Sequence, residues 1–330
     1  MNGTLLMLGV AGPELTAGEA AMFTGLQPAG FILLSHNFVS GGQVRRLTDA
    51  LRGLSRSHPL MAVEPGGGGE LWSADFGPVP PSPAALAAHG DANVTGTAGV
   101  LTAELLRMLG INLYLGPVLD LDHGGGAPGG LREGRWGRDP QRVIDHAGQW
   151  NRWLRKRGVA SCAGHFPAGG RGAGSPLVIE ELLREDLLPY TALGPELDAI
   201  MVSHTEFSNL DSGVPAAFSE RVVRRLLRDQ LGFDHHLVLA AGSGVEDRLA
   251  IAAGCDLAII NRQTQGARAA AKAIGALPVP VLAEAWERVE RMRDKLQWPH
   301  PWSITKWEQT LAGLSDFAAT VPVPGVAETG

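Results

Sequence analysis

The segment Ser161-Cys162-Ala163-Gly164-His165-Phe166-Pro167-Ala168-Gly169-Gly170 predicts a short buried strand that ends abruptly in a turn. The small and apolar residues from Val159 to Ala163 suit a strand that is covered on both faces. Pro167 removes a backbone donor, and the glycines after it allow backbone angles that other residues avoid. One imidazole, that of His165, therefore stands at the strand's end, where a parallel α/β barrel binds its ligands. The alternative is a histidine that only packs under a loop.

Seven further apolar segments have the length of strands, and amphipathic segments with helical spacing separate them. The strand segments are 5–10, 30–34, 60–63, 112–115, 198–202, 237–239 and 256–260, and the main helical segments are 43–54, 94–109, 140–157, 179–188, 219–231 and 280–298. This alternation predicts a TIM-type (β/α)8 barrel of α/β class. We expect one barrel domain over residues 1–298 and a C-terminal tail over 299–330 with a helix at 305–314.

Composition excludes several classes of function. The 330 residues carry a formal net charge of −6 and form no basic run, so neither nucleic acid nor an anionic membrane is expected as a partner. No apolar run approaches the roughly 18 residues that span a bilayer. Cys162 and Cys255 both lie in apolar segments and are expected to be buried free thiols, which favours a reducing, cytoplasmic location. The sequence leaves the oligomeric state open.

The sequence also gives no reason to expect a metal or a cofactor. The glycine-rich segments 65–69 and 124–130 lack the Lys-Ser/Thr ending of a P-loop and the spacing of a dinucleotide site. The histidines lack the Cys and His spacing of a zinc site. We expect these glycine loops, over 65–70, 123–131 and 168–175, to be more mobile than the strands, because glycine has more conformational freedom to lose.

Short motifs lie at or near the ends of the predicted strands, in a specific order and spacing. They are Gly30-Phe31-Ile32-Leu33-Leu34 with Asn37, Pro117-Val118-Leu119-Asp120, His165-Phe166-Pro167, Asp198-Ala199-Ile200-Met201 with His204, Leu226-Leu227-Arg228-Asp229-Gln230-Leu231-Gly232-Phe233-Asp234, and Ala253-Gly254-Cys255-Asp256. Together they resemble the family 3 glycoside hydrolases, especially the single-barrel branch of bacterial β-N-acetylglucosaminidases. The resemblance implies hydrolysis of O-glycosyl bonds in β-linked, N-acetylglucosamine-type sugars. It also implies a β-linked amino sugar or cell-wall fragment as the partner.

The motifs that carry the chemistry of that family are altered. The resemblance implies an aspartate nucleophile just after strand seven, where this chain has Ala240 and Ala241. The family's Lys-His-Phe-Pro-Gly-His-Gly loop reads Gly164-His165-Phe166-Pro167-Ala168-Gly169-Gly170 here, and its later Asp-Ser-His reads Gly174-Ser175-Pro176. The binding lysine and the proton-donating histidine are both missing. A retaining glycosidase needs a nucleophile and a proton donor, so we expect the protein to be catalytically impaired or inactive.

Four residues are candidates for binding a sugar, because each matches a polar position of the family or ends a predicted strand. They are Glu64, Arg135, His165 and His204. A second hypothesis is a glycosidase with relocated carboxylates, for which Glu246, Asp247 and Asp120 are the catalytic candidates, with Asp122 and Glu206 nearby. The alternative for Glu246 and Asp247 is structural, because acidic residues at a helix start interact favourably with its dipole.

A third hypothesis is a barrel that binds protein through its altered loops. Aromatic side chains are the expected contacts, and we expect Trp72, Trp136 and the group Trp298, Trp302 and Trp307 to be exposed. The arginines at 221, 224, 225 and 228 lie on one side of a predicted helix, and we expect all four to face water.

Overall fold

The computed structural model describes residues 5–64, 72, 76–124, 133–171, 179–241, 245–261 and 266–321. Eight parallel strands follow one another around a closed barrel, in which β1 also pairs with β8 through Met7 and Ile259. The strands are β1 (Leu6–Gly9), β2 (Gly30–Leu33), β3 (Leu60–Val63), β4 (Leu113–Tyr114), β5 (Ala160–Phe166), β6 (Ala199–Val202), β7 (Leu237–Ala241) and β8 (Leu257–Ile260). The predicted TIM-type fold is confirmed.

The described α-helices surround this barrel. They are α1 (Ala17–Leu26), α2 (Gly41–Leu54), α3 (Pro83–His89), α4 (Ala92–Leu109), α5 (Pro140–Lys156), α6 (Ile179–Glu181), α7 (Leu188–Leu193), α8 (Asp247–Ala253), α9 (Ala267–Gly275), α10 (Val279–Lys295) and α11 (Ile304–Ala318). Local sequence explains several of their ends. Asp139 caps α5 by accepting a hydrogen bond from the Gln141 amide, and Gly110 ends α4 with a φ of 80°.

Two helical segments, Leu182–Asp186 and Arg221–Gln230, are wound more widely than an α-helix. The Leu187 amide donates to the Leu182 carbonyl, which is the five-residue step of a π-helix. This winding corrects the prediction for the arginines. Arg228 is buried rather than exposed, and its Nη2 atom lies 2.9 Å from Asp256 Oδ2, because a wider helix does not keep the α-helical angle between side chains.

The tryptophans also differ from expectation. Trp72, Trp136 and Trp307 are buried, so the prediction that they are exposed is wrong, whereas Trp298 is 64% exposed. Trp72 packs against the nearby Phe76 and against Phe38, which comes from a distant part of the chain, and sequence periodicity does not reveal such a cluster. Cys162 and Cys255 are buried free thiols, as predicted.

The tail helix α11 packs on the barrel. Its Trp307 ring lies 5.8 Å from the ring of Phe76, and Leu314 is fully buried. The domain boundary at residue 298 stays a prediction. In the part of the chain that the structure describes, every helix is too short or too polar to cross a membrane.

Candidate functional site at the mouth of the barrel

Parallel strands bring their carboxyl ends to one edge, and most candidate residues lie at this mouth. Glu64 directly follows β3, His165 is the penultimate residue of β5, His204 follows β6 by two residues, and Ala241 ends β7. Asp120 joins them because the chain after β4 runs beside β5, with the Leu119 amide donating to the Gly164 carbonyl at 2.6 Å. The mouth is the edge at which barrels of this kind place their ligands.

The centre of the site is a pair formed by Asp120 and His165. Asp120 Oδ2 lies 2.9 Å from His165 Nδ1, and Asp120 Oδ1 accepts a hydrogen bond of 3.0 Å from the His165 backbone amide. The aspartate side chain is 4% exposed, whereas the histidine side chain is 47% exposed. The carboxylate thus fixes the orientation of the imidazole from below and leaves the other ring nitrogen, Nε2, for a ligand.

Two glycines of the β5 loop pack directly against this pair. A Cβ atom on Gly169 would lie 2.8 Å from His165 Cβ and 2.9 Å from Asp120 Oδ2, and one on Gly170 would overlap the Leu121 carbonyl oxygen. Real Cβ atoms do not approach so closely. These glycines therefore let the loop backbone pack closely around the Asp120 carboxylate. This packing role was not predicted from the sequence, which indicated only mobile loops.

Charges around His165 favour its protonated form. Burial opposes the imidazolium and is the largest single influence, but the Asp120 charge and hydrogen bond, with the Glu64 charge, together raise the pKa of His165 above its ordinary value. Arg135 acts in the opposite direction. Glu64, Asp120 and Arg135 thus all lie within electrostatic reach of one ring.

Arg135 is a second polar group of the site, and like Asp120 it is buried beneath the surface of the mouth. Its side chain is 7% exposed, and its Nη1 atom lies 3.7 Å from Asp122 Oδ1. Within the described residues, that Nη1 atom donates no hydrogen bond. A buried guanidinium is an obligate donor, so Arg135 has capacity left for an acceptor group of a ligand.

The last two residues of β7 have no reactive or polar side chain. Ala240 is buried, and Ala241 is exposed at the mouth. After it, Glu246 is the exposed N-cap position of α8, and Asp247 is buried in the first turn of that helix. This position agrees with the helix-dipole interpretation of both residues. Their catalytic role stays a prediction.

The remaining candidates, His204 and Glu206, make their described contacts with residues outside the pair. His204 is exposed and stands edge-on to the Phe218 ring, with 5.1 Å between the ring centroids. The Glu206 carboxylate accepts hydrogen bonds from the Ser208 hydroxyl and the Gly213 amide, which engages it within its own loop. The predicted mobile segments fall largely on 65–70, 125–131 and 172–175, which lie outside the described residues.

A second polar cluster, which was not predicted from the sequence, surrounds Asp186. The buried Asp186 carboxylate contacts His123 Nε2 at 2.8 Å and Arg171 Nε at 2.7 Å. Arg171 also faces Glu181 and Glu185. A charged residue inside a glycine-rich loop was the signal available for Arg171, whereas nothing near Asp186 in sequence marks it. Among the described residues, no group of three or more His, Cys, Asp or Glu could hold a metal ion.

Comparison with known proteins identifies the family. The glycosyl hydrolase family 3 N-terminal domain matches residues 3–292. The chain belongs to glycosyl hydrolase family 3. A β-hexosaminidase of Pseudomonas aeruginosa is 32% identical over 318 residues, covering 89% of this chain and 92% of that protein. One from Methylococcus capsulatus is 34% identical over 276 residues, covering 77% and 81%.

Solved structures agree on the fold. NagZ from Neisseria gonorrhoeae superposes with a TM-score of 0.82 at 24% identity, covering 96% of this chain and 99% of the other. A structure of NagZ from the same organism in complex with N-trifluoroacetyl-D-glucosamine gives a TM-score of 0.78, again at 24% identity with the same coverage. The chain is therefore a single-barrel, β-hexosaminidase-like member of the family.

Proposed function

We propose that this family 3 barrel binds a β-linked amino sugar or cell-wall fragment at its mouth and does not cleave it by the family's mechanism. The observation that carries the proposal is the end of β7, where Ala240 and Ala241 stand at the position that the sequence resemblance assigns to the nucleophile. A methyl group cannot attack an anomeric carbon, and a retaining mechanism requires a carboxylate there. We therefore interpret the protein as a pseudoenzyme.

The groups that remain are suited to binding a sugar. The His165 ring is held in place by Asp120 and open to the mouth, and Arg135 offers an unused donor. Glu64, exposed at the end of β3, supplies an acceptor. Sugar hydroxyls both donate and accept hydrogen bonds, so a site of this mixed kind fits them. The complex of NagZ with N-trifluoroacetyl-D-glucosamine supports an amino sugar as the class.

Two alternative functions remain, and experiments can distinguish them from the proposed one. A glycosidase with relocated carboxylates would use Glu246, Asp247 or Asp120 as acid and base. A protein-binding barrel would need exposed contacts, and the burial of Trp72 and Trp136 removes two of those that were expected. We also infer a cytoplasmic location from the two buried free thiols, Cys162 and Cys255.

Hydrolysis is tested first. The wild type is incubated with aryl β-N-acetylglucosaminide and with aryl β-glucoside, and the release of the aryl alcohol is followed. We expect no turnover above the uncatalysed rate. Turnover at ordinary enzyme rates that Glu246→Gln or Asp247→Asn abolishes, while Glu220→Gln leaves it intact, would instead establish relocated carboxylates. Glu220 is exposed at the start of the helical segment Arg221–Gln230 and serves as the matched control.

Binding is tested by titrating N-acetylglucosamine and its β-linked dimer, followed by NMR. We expect dissociation constants on the order of 1 mM, which corresponds to only about −4 kcal/mol. Arg135→Met should weaken binding at least about fivefold, since it removes a buried donor. Arg138→Met, an exposed arginine three residues away, should leave binding unchanged. Failure of the folded wild type to bind either sugar would overturn the proposal.

A further inference from the structure

A cleft of about 540 Å³ lies at the amino-terminal end of the barrel, the end opposite the mouth. Ala160, which begins β5, and Asp198, which directly precedes β6, both line it, together with residues from the last turns of α5 and α10. Along β5, His165 lies five residues beyond Ala160, which is roughly 16 Å at the rise of a parallel strand. The cleft is therefore separate from the proposed sugar site.

Positive charge predominates in this cleft. Its ionisable lining residues are four cations and two carboxylates, an excess of two positive charges, and they are Arg152, Arg155, Lys156, Lys295, Glu196 and Asp198. The helix dipole accounts for cations in the last turns of α5 and α10, but Arg152 lies before the last turn of α5. The three cations of α5 are spaced as neighbours on one helix face and repel one another. A bound anion would relieve that repulsion.

One of the four cations is already paired. Arg155 Nε lies 3.2 Å from Asp198 Oδ2, and the Asp198 side chain is 8% exposed. The same oxygen accepts a hydrogen bond of 3.3 Å from the Ser161 amide at the start of β5. The aspartate is thus held by the strand, and it fixes the Arg155 guanidinium as part of the cleft wall.

Two other cations have capacity left for a ligand. The Lys156 ammonium lies 4.6 Å from the centroid of the Trp153 ring, so it is engaged in a cation–π contact. Within the described ranges, the side chains of Arg152 and Lys295 form neither an ion pair nor a hydrogen bond, although both line the cleft. Arg152 comes from α5 and Lys295 from α10, so the two cations approach the cleft from different elements.

A buried guanidinium adds positive charge behind the cleft wall. Arg107 is 4% exposed, and its Nη1 atom donates a hydrogen bond of 2.9 Å to the carbonyl of Gly158, a lining residue. Its Nη2 atom donates to the carbonyl of Trp298, the residue after the lining residue Gln297. In the part of the chain that the structure describes, Arg107 has no ion pair and its Nε atom has no hydrogen-bond partner. A buried charge without a counter-ion is costly, so Arg107 makes an anion in the cleft more favourable.

We propose that this cleft binds a small organic phosphate, whose phosphate group is held by Arg152 and Lys295. A phosphate group on an ester carries about −1.5 to −2 charge at pH 7. This charge matches the excess of two positive charges among the lining residues. Lysine and arginine are also the side chains that bind phosphate most often in proteins. The inference goes beyond the proposed sugar site and does not depend on it.

The remaining walls indicate the organic part of the ligand. The cleft volume lies within the range of about 300–1,000 Å³ that small-molecule sites have, so there is room for more than a phosphate ion. None of the lining residues is aromatic, so no ring is offered for a nucleotide base to stack on. Glu196 and Gln297 offer hydrogen-bonding groups to hydroxyls. A sugar phosphate has this combination of charge and hydroxyl groups.

The experiment titrates the 15N-labelled protein with glucose 6-phosphate, inorganic phosphate and glucose at constant ionic strength, followed by amide NMR. We expect glucose 6-phosphate to shift the amides of Gly158, Val159, Leu296 and Gln297 with a dissociation constant of about 1 mM or below. Inorganic phosphate should bind at least about fivefold more weakly, and glucose should not shift these amides. Equal affinity for both phosphates would contradict an organic ligand. Equal shifts with glucose, or no shifts with either phosphate, would overturn the proposal.

Two charge-removing variants test the location. Lys295→Met should weaken the binding of glucose 6-phosphate at least about fivefold, because it removes a cation from the cleft. Arg157→Met is the matched control, since Arg157 ends α5 with an exposed guanidinium that pairs with Glu104 at 2.9 Å and does not line the cleft. It should change the affinity less than about 1.5-fold. Equal weakening in both variants would show general attraction by positive charge and would overturn the site.

Arg135→Met separates this cleft from the mouth. Arg135 belongs to the proposed sugar site, so its loss should leave the binding of glucose 6-phosphate unchanged. Weakening by Arg135→Met without weakening by Lys295→Met would place the compound at the mouth and overturn the inference. A protein that binds no N-acetylglucosamine leaves this inference intact, and a cleft that binds no phosphate leaves the sugar site intact.

Discussion

Two buried aspartates at opposite ends of the barrel show how one kind of contact serves two purposes. Asp256 lies just before β8, at the amino-terminal end of the barrel, which we call the closed end. It is fully buried and contacts Arg228 at 2.9 Å and Arg288 at 3.1 Å. It also accepts a hydrogen bond from the Val238 amide. Asp120, at the mouth, contacts one imidazole whose side chain is 47% exposed. The first carboxylate is neutralised by permanent charges, the second by a group that gains and loses a proton.

The difference follows the division of labour in this fold. The amino-terminal face of a TIM-type barrel contributes to stability, and the carboxyl-terminal face carries ligands. Asp256 joins the helical segment Arg221–Gln230, α10 and β7 to the start of β8. Asp120 instead positions one ring for whatever enters the mouth. Ala241, next to Ala240 at the position that the resemblance assigns to the nucleophile, ends β7 at the mouth, whereas the Arg228–Asp256 pair lies at the amino-terminal end of the barrel.

The largest expected effect is at the closed end. Arg228→Met leaves the Asp256 carboxylate buried with one of its two guanidiniums, and we expect the free energy of unfolding to fall by about 3–5 kcal/mol. Chemical denaturation measures it. Arg224→Met, on the same helical segment, removes a partly exposed ion pair with Glu284 and should cost less than about 1 kcal/mol. Equal losses of unfolding free energy in the two variants would show that the buried Arg228–Asp256 pair stabilises the protein no more than an exposed ion pair does.

A smaller effect is expected from crowding the mouth. Gly170→Ala places a methyl group against the Leu121 carbonyl, beside Asp120, and should destabilise the protein by about 1–3 kcal/mol. Gly12→Ala follows β1 and meets no atom within 4 Å, so its effect should stay within about 0.5 kcal/mol. Thermal unfolding of both variants measures the contrast. If Gly170→Ala is neutral, the loop backbone around Gly170 can move enough to accept the methyl group.

The sequence predicts the barrel well because its signal is local. Each predicted strand and each amphipathic helix is recognised within a continuous segment of 3 to 19 residues, and the position of His165 at a strand end follows from the same pattern. Arg228 was misplaced because its helix does not have the α-helical period. Asp186 was missed because its contacts come from His123 and Arg171, which are distant in sequence and meet it only in the folded chain.

The contrast between the two aspartates is sharpened by changing the charge at the mouth alone. Asp120→Asn keeps an acceptor for the His165 amide but removes the negative charge, so we expect the pKa of His165 to fall by about 1 pH unit. Histidine NMR titration measures it. Asp122→Asn, two residues along the chain and paired with Arg135, should change that pKa less. An equal change in both variants would mean that the general negative potential, and not the direct contact, controls the ring.

The smallest effect concerns stability as a function of pH. Because the pKa of His165 is raised in the folded chain, its contribution is fully present below the unfolded value of about 6.5 and is lost as the pH rises through the folded value. The ring is nearly half exposed, so solvent screening should keep this contribution below about 1 kcal/mol. The deficit of His165→Gln relative to the wild type should therefore be larger at about pH 5.5 than at about pH 9.

His204→Gln is the matched control for that measurement. His204 also stands exposed at the mouth but has no ion pair among the described residues, so His204→Gln measures the loss of an exposed ring without the loss of an ion pair. Chemical denaturation at the two pH values measures both variants. A deficit of His165→Gln that is constant with pH would mean that the Asp120 contact stabilises the neutral ring as well as the charged one. The pair at the mouth would then resemble the Arg228–Asp256 pair, whose contribution does not depend on a proton that is gained or lost in this pH range.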